Sequence, residues 1–545
     1  MKARRFVGSI LLAGVILLSS LVPGGTHLDA LGSAAPPPPA SVHVLPLDAN
    51  AGWMEVGTGS ASSGGVSQNN GSTYPSLTVA PNGTPYVAWQ YWNLDEDQGY
   101  IYVRRWNGSS WEEVGAGSAS GGGISHTDGA GSASAAVAPG GVPYVAWTDW
   151  RWDTVENEIF VRRWNGSSWE EVGAGSASGG GISDNDGDSW ESALAVAPNG
   201  TPYVAWSDLS GGDSEIYVLR WNGSSWEEVG AGSASGGGIS NNSGGSSAPA
   251  LAVAPNGTPY VAWSDSSGGD SEIYVRRWNG SSWEEVGAGS AGGSGISDNS
   301  GDSGAPSLAI APNGTPYVAW SDSSGGDAEI YVRRWNGSSW EEVGTDSASG
   351  GGISDNSSGS GAPALAVAMD GTPYVAWNDD GDGDMEIYVR RWNWRTWEEV
   401  GVGSASGGGV SDTGGGSDYP ALAAAPDGTL YVAWDESRFE GTDVYVRQWE
   451  GGGPTFSVSG HVRDGKGHPL SGVQVSAGAG ITATTDVSGT YTIVGLPAAA
   501  HTLTPTRSGY AFAPPSRTAS VPPDAVGQDF TGVPNVYLPL VLRGN

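Results

Sequence analysis

Two short acidic segments, D-N-D-G-D and D-G-D-G-D, contain the side chains that could bind a metal ion. Alternating carboxylates in a glycine-rich turn can converge on a hard cation such as calcium. A complete twelve-residue calcium loop is not reproduced, because Ser189 stands where its glycine belongs. Two interpretations stay open for each segment, a calcium site and a solvated acidic turn. The aspartates concerned are Asp184, Asp186, Asp188, Asp380, Asp382 and Asp384.

Aromatic residues in polar loops form a second candidate site. Five of the 26 tryptophans lie outside the repeat described below, and four of these five fall in long loops beside charged residues. Exposed aromatic faces beside polar groups commonly hold sugar rings. The competing interpretation is that the rings only cover their own loops. The predicted ligand-binding residues are Trp92, Trp150, Arg151, Trp152, Trp190, Arg438 and Phe439, and the fifth tryptophan, Trp394, falls in a short turn.

Histidine and cysteine contribute little to this chain. Cysteine is absent, which excludes disulfides and thiol chemistry, and only six histidines occur. A single one, His126, lies between residues 51 and 452. We therefore expect neither a histidine-based metal site nor a Ser-His-Asp triad in that region, and we predict no catalytic residue.

The other 21 tryptophans mark a repeat that occurs seven times, at a spacing of 57 to 59 residues. They lie in three recurring segments, W-x-x-V-G, Y-V-A-W and V-x-x-W. Seven units of four short strands are typical of a seven-bladed β-propeller. The sequence therefore predicts an all-β protein with a seven-bladed β-propeller over residues 51–452.

One unit, residues 305–344, illustrates the predicted blade. We expect strand A at 307–312, strand B at 315–320, strand C at 329–335 and strand D at 340–344, with an Asn-Gly hairpin turn between A and B. If Trp335 opposes Trp340, then Arg334 opposes Glu341 and Arg333 opposes Glu342. The sequence therefore predicts two cross-strand ion pairs, and likewise Arg105–Glu112 and Arg104–Glu113 in the first blade.

The phase of the repeat predicts how the ring closes. The first unit begins with strand D alone at 53–57, and the last unit, 420–449, lacks that strand. The N-terminal strand should therefore complete the seventh blade and remove the open sheet edges.

The strand order also sorts the loops onto two faces of the disc. The A–B and C–D turns lie on one face, the turn face, and the B–C and D–A loops lie on the other, the loop face. The turn face carries nearly uniform N-G turns, and we interpret its N-G-S and N-G-T triplets as turns rather than glycosylation sites. The loop face carries the long and variable segments, so we predict that it is the working face.

Residues 454–531 carry a different pattern. V-S-G at 458–460, P-L-S-G-V at 469–473, T-D at 485–486, G-T-Y at 489–491 and G-L-P at 495–497 resemble the carboxypeptidase regulatory-like domain. That resemblance implies a small transthyretin- or Ig-like β-sandwich without a catalytic motif, suited to display, spacing or weak binding. An apolar tail at 532–545 could pack on this sandwich or retain the protein at a surface.

The propeller resembles the sialidases only in fold. Their Ser-x-Asp-x-Gly-x-x-Trp box is not reproduced, and nearly all propeller arginines fall on strand C. A shared fold does not transfer function.

The charge balance and the N-terminus narrow the partners and the location. The chain carries 58 acidic and 23 basic residues, a formal net charge of −35, which argues against nucleic acid and anionic membranes as partners. Residues 1–35 are typical of a signal peptide, with a retained membrane anchor as the alternative, and residues 36–50 of a Pro-rich linker. We expect a monomer that is secreted or retained at the cell surface, with no membrane span after cleavage.

The near-identical central blades favour a non-catalytic binding or adhesion protein whose partner is a glycan or a surface protein. One alternative is a glycan-active propeller enzyme, a hydrolase or a lyase, and another is a purely structural surface protein. An acid pair in the central channel, near the divergent loops of blades seven, one and two, would favour the enzyme.

Overall fold

The computed structural model describes residues 52–93, 96–151, 154–381, 383–451, 455–478 and 481–535, and its regular elements are all β-strands. The predicted signal peptide, residues 1–35, and the linker, residues 36–50, lie outside these residues. Within the described ranges, no helix has the length and hydrophobicity needed to cross a membrane.

Seven four-stranded antiparallel sheets form the predicted blades. Blade one contains β2–β5, and the following blades contain β6–β9, β10–β13, β14–β17, β18–β21, β22–β25 and, for blade seven, β26–β28 with β1. Their bounds are β1 (Trp53–Glu55), β2 (Ser72–Val79), β3 (Pro85–Asn93), β4 (Gln98–Trp106), β5 (Trp111–Glu113), β6 (Ala130–Val137), β7 (Pro143–Arg151), β8 (Glu156–Trp164), β9 (Trp169–Glu171), β10 (Ser189–Val196), β11 (Pro202–Asp208), β12 (Glu215–Trp221), β13 (Trp226–Glu228), β14 (Ser246–Val253), β15 (Pro259–Asp265), β16 (Glu272–Trp278), β17 (Trp283–Glu285), β18 (Ser303–Ile310), β19 (Pro316–Asp322), β20 (Glu329–Trp335), β21 (Trp340–Glu342), β22 (Ser360–Val367), β23 (Pro373–Asp379), β24 (Glu386–Trp392), β25 (Trp397–Glu399), β26 (Gly416–Ala424), β27 (Leu430–Arg438) and β28 (Gly441–Trp449).

The A strands, β2, β6, β10, β14, β18, β22 and β26, contact one another in a closed ring and therefore line the central channel. The core lies between neighbouring blades, and the tryptophan of each Y-V-A-W segment is fully buried against the preceding blade. Trp320 of blade five, for example, packs in one cluster with Tyr260 and Val275 of blade four. Apolar side chains on both faces of each sheet follow from this arrangement.

The N-terminal strand closes the ring as predicted. Strand β1 pairs with β28, and Trp53 stands opposite Trp449. The indole of Trp53 also donates a hydrogen bond of 2.8 Å to the carbonyl of Val400 in blade six. Blade seven therefore has four strands like the other blades, with β1 as its outer strand.

The ladders of blade five run longer at the loop face than the sequence predicted. Strand A begins at Ser303 instead of residue 307, because Ser303 pairs with Asp322 beyond the apolar segment. The Ser303 hydroxyl donates to the Asp322 carboxylate at 2.8 Å, which extends the ladder with polar residues. Strand C, β20, has the predicted bounds.

One of the two predicted cross-strand ion pairs forms. Arg334 lies 2.9 Å from Glu341, and Arg105 lies 2.8 Å from Glu112. The prediction of the second pair, Arg333–Glu342 and Arg104–Glu113, is wrong, although the residues do stand opposite each other.

Nearer partners on the loops replace that second pair. Arg333 donates to the carbonyl of Ile296 at 2.6 Å, and Glu342 accepts from the Ser349 hydroxyl at 2.8 Å. In blade one, Arg104 likewise donates to the carbonyl of Val66 at 2.7 Å.

The C-terminal region forms the predicted β-sandwich. Its strands are β29 (Thr455–Asp464), β30 (Gln474–Ser476), β31 (Thr482–Thr484), β32 (Thr490–Pro497), β33 (Ala499–Thr506), β34 (Tyr510–Ala513), β35 (Arg517–Val521) and β36 (Phe530–Pro534). The two sheets have the orders β32-β29-β36-β34 and β31-β30-β33-β35, and they enclose a core that includes Val458, Val475, Tyr491 and Leu503. Strand β36 takes in the first residues of the predicted tail, and residues 536–545 lie outside the described chain.

Candidate functional site

Every A strand carries a β-bulge at its loop-face end, where the strand enters the channel wall. The bulge residue has a positive φ in all seven blades, for example 53° at Tyr74 and 48° at Tyr419. Non-glycine residues adopt this left-handed conformation rarely, and bulges redirect a side chain away from the ladder. The bulge side chains therefore surround the mouth of the channel; they are Tyr74, Ser132, Glu191, Ala248, Ala305, Ala362 and Tyr419.

Blades seven and one place two tyrosines side by side at this mouth. The ring centroids of Tyr74 and Tyr419 are 4.4 Å apart, and 42% and 41% of the two residues are exposed. A hydrogen bond that the Tyr419 hydroxyl shares with Tyr74, together with burial, raises the pKa of Tyr419 to about 12. At the other five bulges the residue is alanine, serine or glutamate. We call this pair the seam tyrosines.

Two aspartates accept hydrogen bonds from the backbone of the seam tyrosines. Asp418 and Asp435 stand opposite each other on β26 and β27. The carboxylate of Asp435 accepts from the backbone N–H of Tyr74 at 3.0 Å, and that of Asp418 accepts from Tyr419 N–H at 3.0 Å and from the amide of Asn378. Burial raises the pKa of both, to about 7 for Asp435, where the neighbouring charge of Asp418 adds to the effect. An acid pair thus lies at the channel mouth within the divergent sector.

Blade three contributes the predicted Trp190 to the same mouth. Trp190 is half-buried on the innermost strand, opposite Ser207 and directly before the bulge residue Glu191. The Glu191 carboxylate accepts from the Ser207 hydroxyl at 3.0 Å and from Ala248 N–H of the next blade at 2.7 Å.

Two other predicted residues, Trp92 and Trp150, lie on adjoining B–C hairpins of blades one and two. The Trp92 ring covers Gly99, and the backbone N–H of Trp92 donates to the carbonyl of Gly71 at 2.7 Å. The backbone N–H of Trp150 donates to the carbonyl of Gly129 at 3.1 Å. Gly99 and Gly129 form a β-bridge that joins the hairpin of blade one to the loop that leads into blade two. Both tryptophans are half-buried.

The other predicted hairpin residues lie in different settings. Arg151 stands opposite Glu156 on the hairpin of blade two, and Trp152 lies outside the described residues. Phe439 is fully exposed at the hairpin tip of blade seven.

Arg438, beside that tip, already has several partners. Its side chain lies 3.2 Å from Glu436, donates to the carbonyl of Ser63 at 3.1 Å, and lies 4.8 Å from the centroid of the Tyr445 ring. Arg438 thus joins blade seven to the segment that follows β1, which leaves fewer of its N–H groups for a ligand.

The three aspartates of the first acidic triplet are not gathered around one point. The Asp188 carboxylate accepts from the backbone N–H of Asn157 at 2.8 Å, and the Asp184 side chain lies over Gly180, while Asp186 is exposed. Over the described part of the chain, no cluster of three or more carboxylate or imidazole side chains is arranged to hold a metal ion.

The second triplet is described only in part. Asp380 accepts from Gly359 N–H at 3.0 Å, Asp384 is exposed, and Asp382 lies outside the described residues. Calcium binding at the two segments stays a prediction.

A buried carboxylate that the sequence analysis missed recurs two residues after the strand B tryptophan. In blade four, Asp265 accepts from the Trp263 indole at 3.0 Å, the Asn242 amide at 2.7 Å and the Ser246 hydroxyl at 2.9 Å. The fixed W-x-[D/E] spacing was the available signal. The equivalent residues are Asp149, Asp208, Asp322, Asp379 and Glu436.

Blade one departs from this pattern. Tyr91 replaces the carboxylate and packs on Tyr102 at 5.0 Å between centroids, and the buried indole N–H of Trp89 has no hydrogen-bond partner.

The seam tyrosines were also missed. A Tyr-Pro pair opens strand A only in blades one and seven, at residues 74–75 and 419–420, and this was the available signal. Their proximity depends on ring closure and on the bulge, because 345 residues separate them in the chain. Asp418 and Asp435 form an acid pair near the divergent loops that no local motif distinguishes, but Asp435 is buried on the second strand and not in the channel.

Comparison with known proteins identifies the family of the C-terminal domain. Residues 457–531 match the carboxypeptidase regulatory-like domain, which confirms the predicted resemblance. No curated protein matches the chain.

Several solved structures are similar to this chain at low sequence identity and with TM-scores below 0.5. One is a polysaccharide lyase, an ulvan lyase, with 12% identity and a TM-score of 0.46, covering 69% of this chain and 94% of that chain. Another is an α-L-arabinanase from Penicillium chrysogenum, with 15% identity and a TM-score of 0.37, covering 69% and 92%. A third is a protein of unknown function from Dyadobacter fermentans, with 11% identity and a TM-score of 0.37, covering 70% and 94%.

Proposed function

We propose that this chain is a secreted, non-catalytic protein that binds a neutral carbohydrate on the loop face, at the channel mouth between blades seven and one. The observation that carries the proposal is the exposed seam tyrosine pair, Tyr74 and Tyr419, supported by Asp418 and Asp435. No other blade has an aromatic residue at the bulge. A feature that the sevenfold repeat does not require calls for a cause outside the blade.

The chemistry of the seam fits a sugar ring. Aromatic faces cover the C–H surface of a pyranose, while hydroxyls and carboxylates accept and donate hydrogen bonds at its edge. The carboxylates and the net charge of −35 repel uronates and sulfated sugars, which favours a neutral glycan.

The predicted hairpin residues extend this site toward blades one and two. The Trp92 hairpin is bonded through Gly71 to the segment that leads into Tyr74, and Trp150 lies on the adjoining hairpin. We propose that a chain of sugar residues runs from the seam tyrosines along these two hairpins, with the exposed Phe439 at the opposite end.

The test is binding of the chain without residues 1–35 to mannan, galactan, arabinan and β-glucan in affinity electrophoresis and calorimetry. Loss of a stacked ring costs about 1–3 kcal/mol, so Tyr74→Ala with Tyr419→Ala should raise Kd by about 5- to 150-fold. The matched control is Tyr74→Phe with Tyr419→Phe, which keeps both rings and should retain most of the affinity.

Two results would contradict the proposal. One is a double alanine variant that folds and binds like the parent protein. The other is a parent protein that binds none of the four polysaccharides, which would favour the purely structural alternative.

The acid pair favours a glycan hydrolase as the second candidate. A carboxyl with a pKa of about 7, such as Asp435, could protonate a glycosidic oxygen in mildly acidic solution. However, Asp435 is only 3% exposed and already bonded to the backbone of Tyr74, which fits a supporting role better. Release of reducing ends from the bound polysaccharide, abolished by Asp435→Asn with binding retained, would establish the enzyme.

A further inference from the structure

The turn face carries a groove in blade one, between the A–B turn and the C–D turn, and the side chains that line it recur in blades two to five. In blade one this groove has a volume of about 420 Å³. It lies on the face of the disc opposite the seam tyrosines. Its main lining residues are Asn82, Tyr86, Arg105, Trp106, Asn107 and Glu112.

The polar lining is fixed and repeated. The arginine side chain donates to the glutamate at 2.8–2.9 Å in blades one to six, and the turn asparagine donates to the other oxygen of the same glutamate at 2.6–2.9 Å. In blade one, the side chains of Arg105 and Glu112 remain 39% and 37% exposed. A half-buried tryptophan, Trp106, adds an aromatic surface. The groove thus presents hydrogen-bond donors and acceptors in fixed positions. The arginine and glutamate charges cancel, so the ion pair adds no net charge to the groove.

Blade six shows what such a groove accepts. Trp394 stands where blades one to five have a glycine, and it keeps the left-handed conformation at φ 72° in spite of its bulky side chain. Its ring lies over Gly371 of the A–B turn and packs against the core of the β-sandwich. Arg391 is reduced to 14% exposure, and Thr455 and Phe456 line the space that remains. A flat ring from the chain itself therefore covers the A–B side of the sixth groove, beside a remaining space of about 310 Å³.

In blades one to five, glycine leaves this ring position open. The equivalent residues are Gly108, Gly166, Gly223, Gly280 and Gly337, with φ between 94° and 99°. We propose that each of these five grooves binds one ring of a neutral saccharide. The turn face is then a multivalent carbohydrate-binding surface, distinct from the seam on the loop face.

Size, charge and geometry support this ligand class. The volume of the first groove falls within the range of about 300–1,000 Å³ typical of ligand pockets. Planar guanidinium, carboxylate and amide groups match the paired hydroxyls of a sugar, and the tryptophan contacts its C–H face. Repetition on one face lets a polymer engage several grooves at once, so weak single sites give strong overall binding.

The experiment copies blade six into the other grooves. A variant with glycine-to-tryptophan changes at all five positions should cover the A–B side of each groove with a ring, and glycine-to-asparagine changes at the same positions are the control. Asparagine tolerates positive φ but leaves most of the space free. The chain without residues 1–35 is titrated calorimetrically with mannohexaose, cellohexaose, laminarihexaose and arabinohexaose.

We expect the parent protein to bind at least one of these probes at about five sites per chain, the tryptophan variant to lose these sites, and the asparagine variant to keep them. Changing Tyr74 and Tyr419 to alanine should leave them intact, which separates this proposal from the seam site. If the fivefold variant does not fold, Gly280→Trp should remove one site per chain and Gly280→Asn none. A parent protein that binds no probe, or a stoichiometry unchanged by tryptophan, would overturn the proposal.

Discussion

Asp265 is the clearest test of what stabilises a blade. It is fully buried in blade four and accepts from Trp263, Asn242 and Ser246 at 2.7–3.0 Å. It also accepts from the backbone N–H of Ser267 at 3.0 Å and from the Ser267 hydroxyl. This one carboxylate therefore joins strand B, the D–A loop and the B–C loop.

Asp265→Ala should destabilise the protein by about 3–5 kcal/mol. The change leaves buried indole, amide and hydroxyl donors without an acceptor, and each such donor costs about 1–3 kcal/mol. Partial entry of water and loop relaxation keep the total below a simple sum. Asp265→Asn keeps one acceptor oxygen, so we expect a smaller loss of about 1–2 kcal/mol.

Urea unfolding followed by tryptophan fluorescence measures these differences. Glu284→Gln in the same blade is the matched control, because Glu284 belongs to an exposed ion pair with Arg277. Such pairs contribute at most about 1 kcal/mol. If Asp265→Ala lost no more stability than Glu284→Gln, the buried carboxylate would not hold the blade together and the reasoning would be refuted.

Two further predictions concern the whole ring. Deleting residues 36–60 removes β1, so it should expose strand β28 of blade seven, lower Tm and promote aggregation, whereas deleting only residues 36–51 should have none of these effects. Thermal scans and light scattering measure both effects. If the variant lacking residues 36–60 stayed monomeric with an unchanged Tm, closure of the ring by β1 would be contradicted. Burial raises the pKa of Glu158, Glu272 and Glu386 from 4.5 to about 7, so the stability these groups contribute is present below pH 4.5 and lost as the pH rises to 7. Calorimetric Tm should fall across that range, and Glu272→Gln should reduce the slope; a Tm that rises there would refute the assignment.

The repeat predicted the fold because its information is local and occurs seven times. The period gave the blades, the phase gave the closure by β1, and the W-turn-W register gave Arg334 opposite Glu341. The same register failed to predict the partner of Arg333. Arg333 binds the carbonyl of Ile296, which lies in the D–A loop between blades four and five. Contacts between blades depend on how the blades pack in three dimensions, so the spacing of residues within one repeat does not predict them.

The candidate site was predicted only in part, for the same reason. Trp92, Trp150 and Trp190 were predicted as candidate ligand-binding residues because they lie outside the repeat. They lie on the loop face or at the channel mouth. Tyr74 and Tyr419 belong to opposite ends of the propeller sequence and meet only when the ring closes. Arg438 was predicted as a ligand donor because it lies in a divergent loop of blade seven, but its contacts with Glu436 and Ser63 depend on the assembled seventh blade.

A propeller of near-identical blades contains its own controls, because a residue that differs from its six equivalents cannot be explained by the blade alone. Trp394 differs from the glycine of the other turns, and the β-sandwich packed against it supplies the cause. Tyr91 differs from the buried carboxylates and leaves the Trp89 indole unpaired, a cost of about 1–3 kcal/mol that its packing on Tyr102 offsets. Tyr74 and Tyr419 differ from the small or acidic residues at the other bulges, yet they remain 42% and 41% exposed in a left-handed conformation that costs free energy. These two exposed rings, which pack on each other and which no other blade repeats, are therefore the observation on which we base the proposed carbohydrate site at the channel mouth.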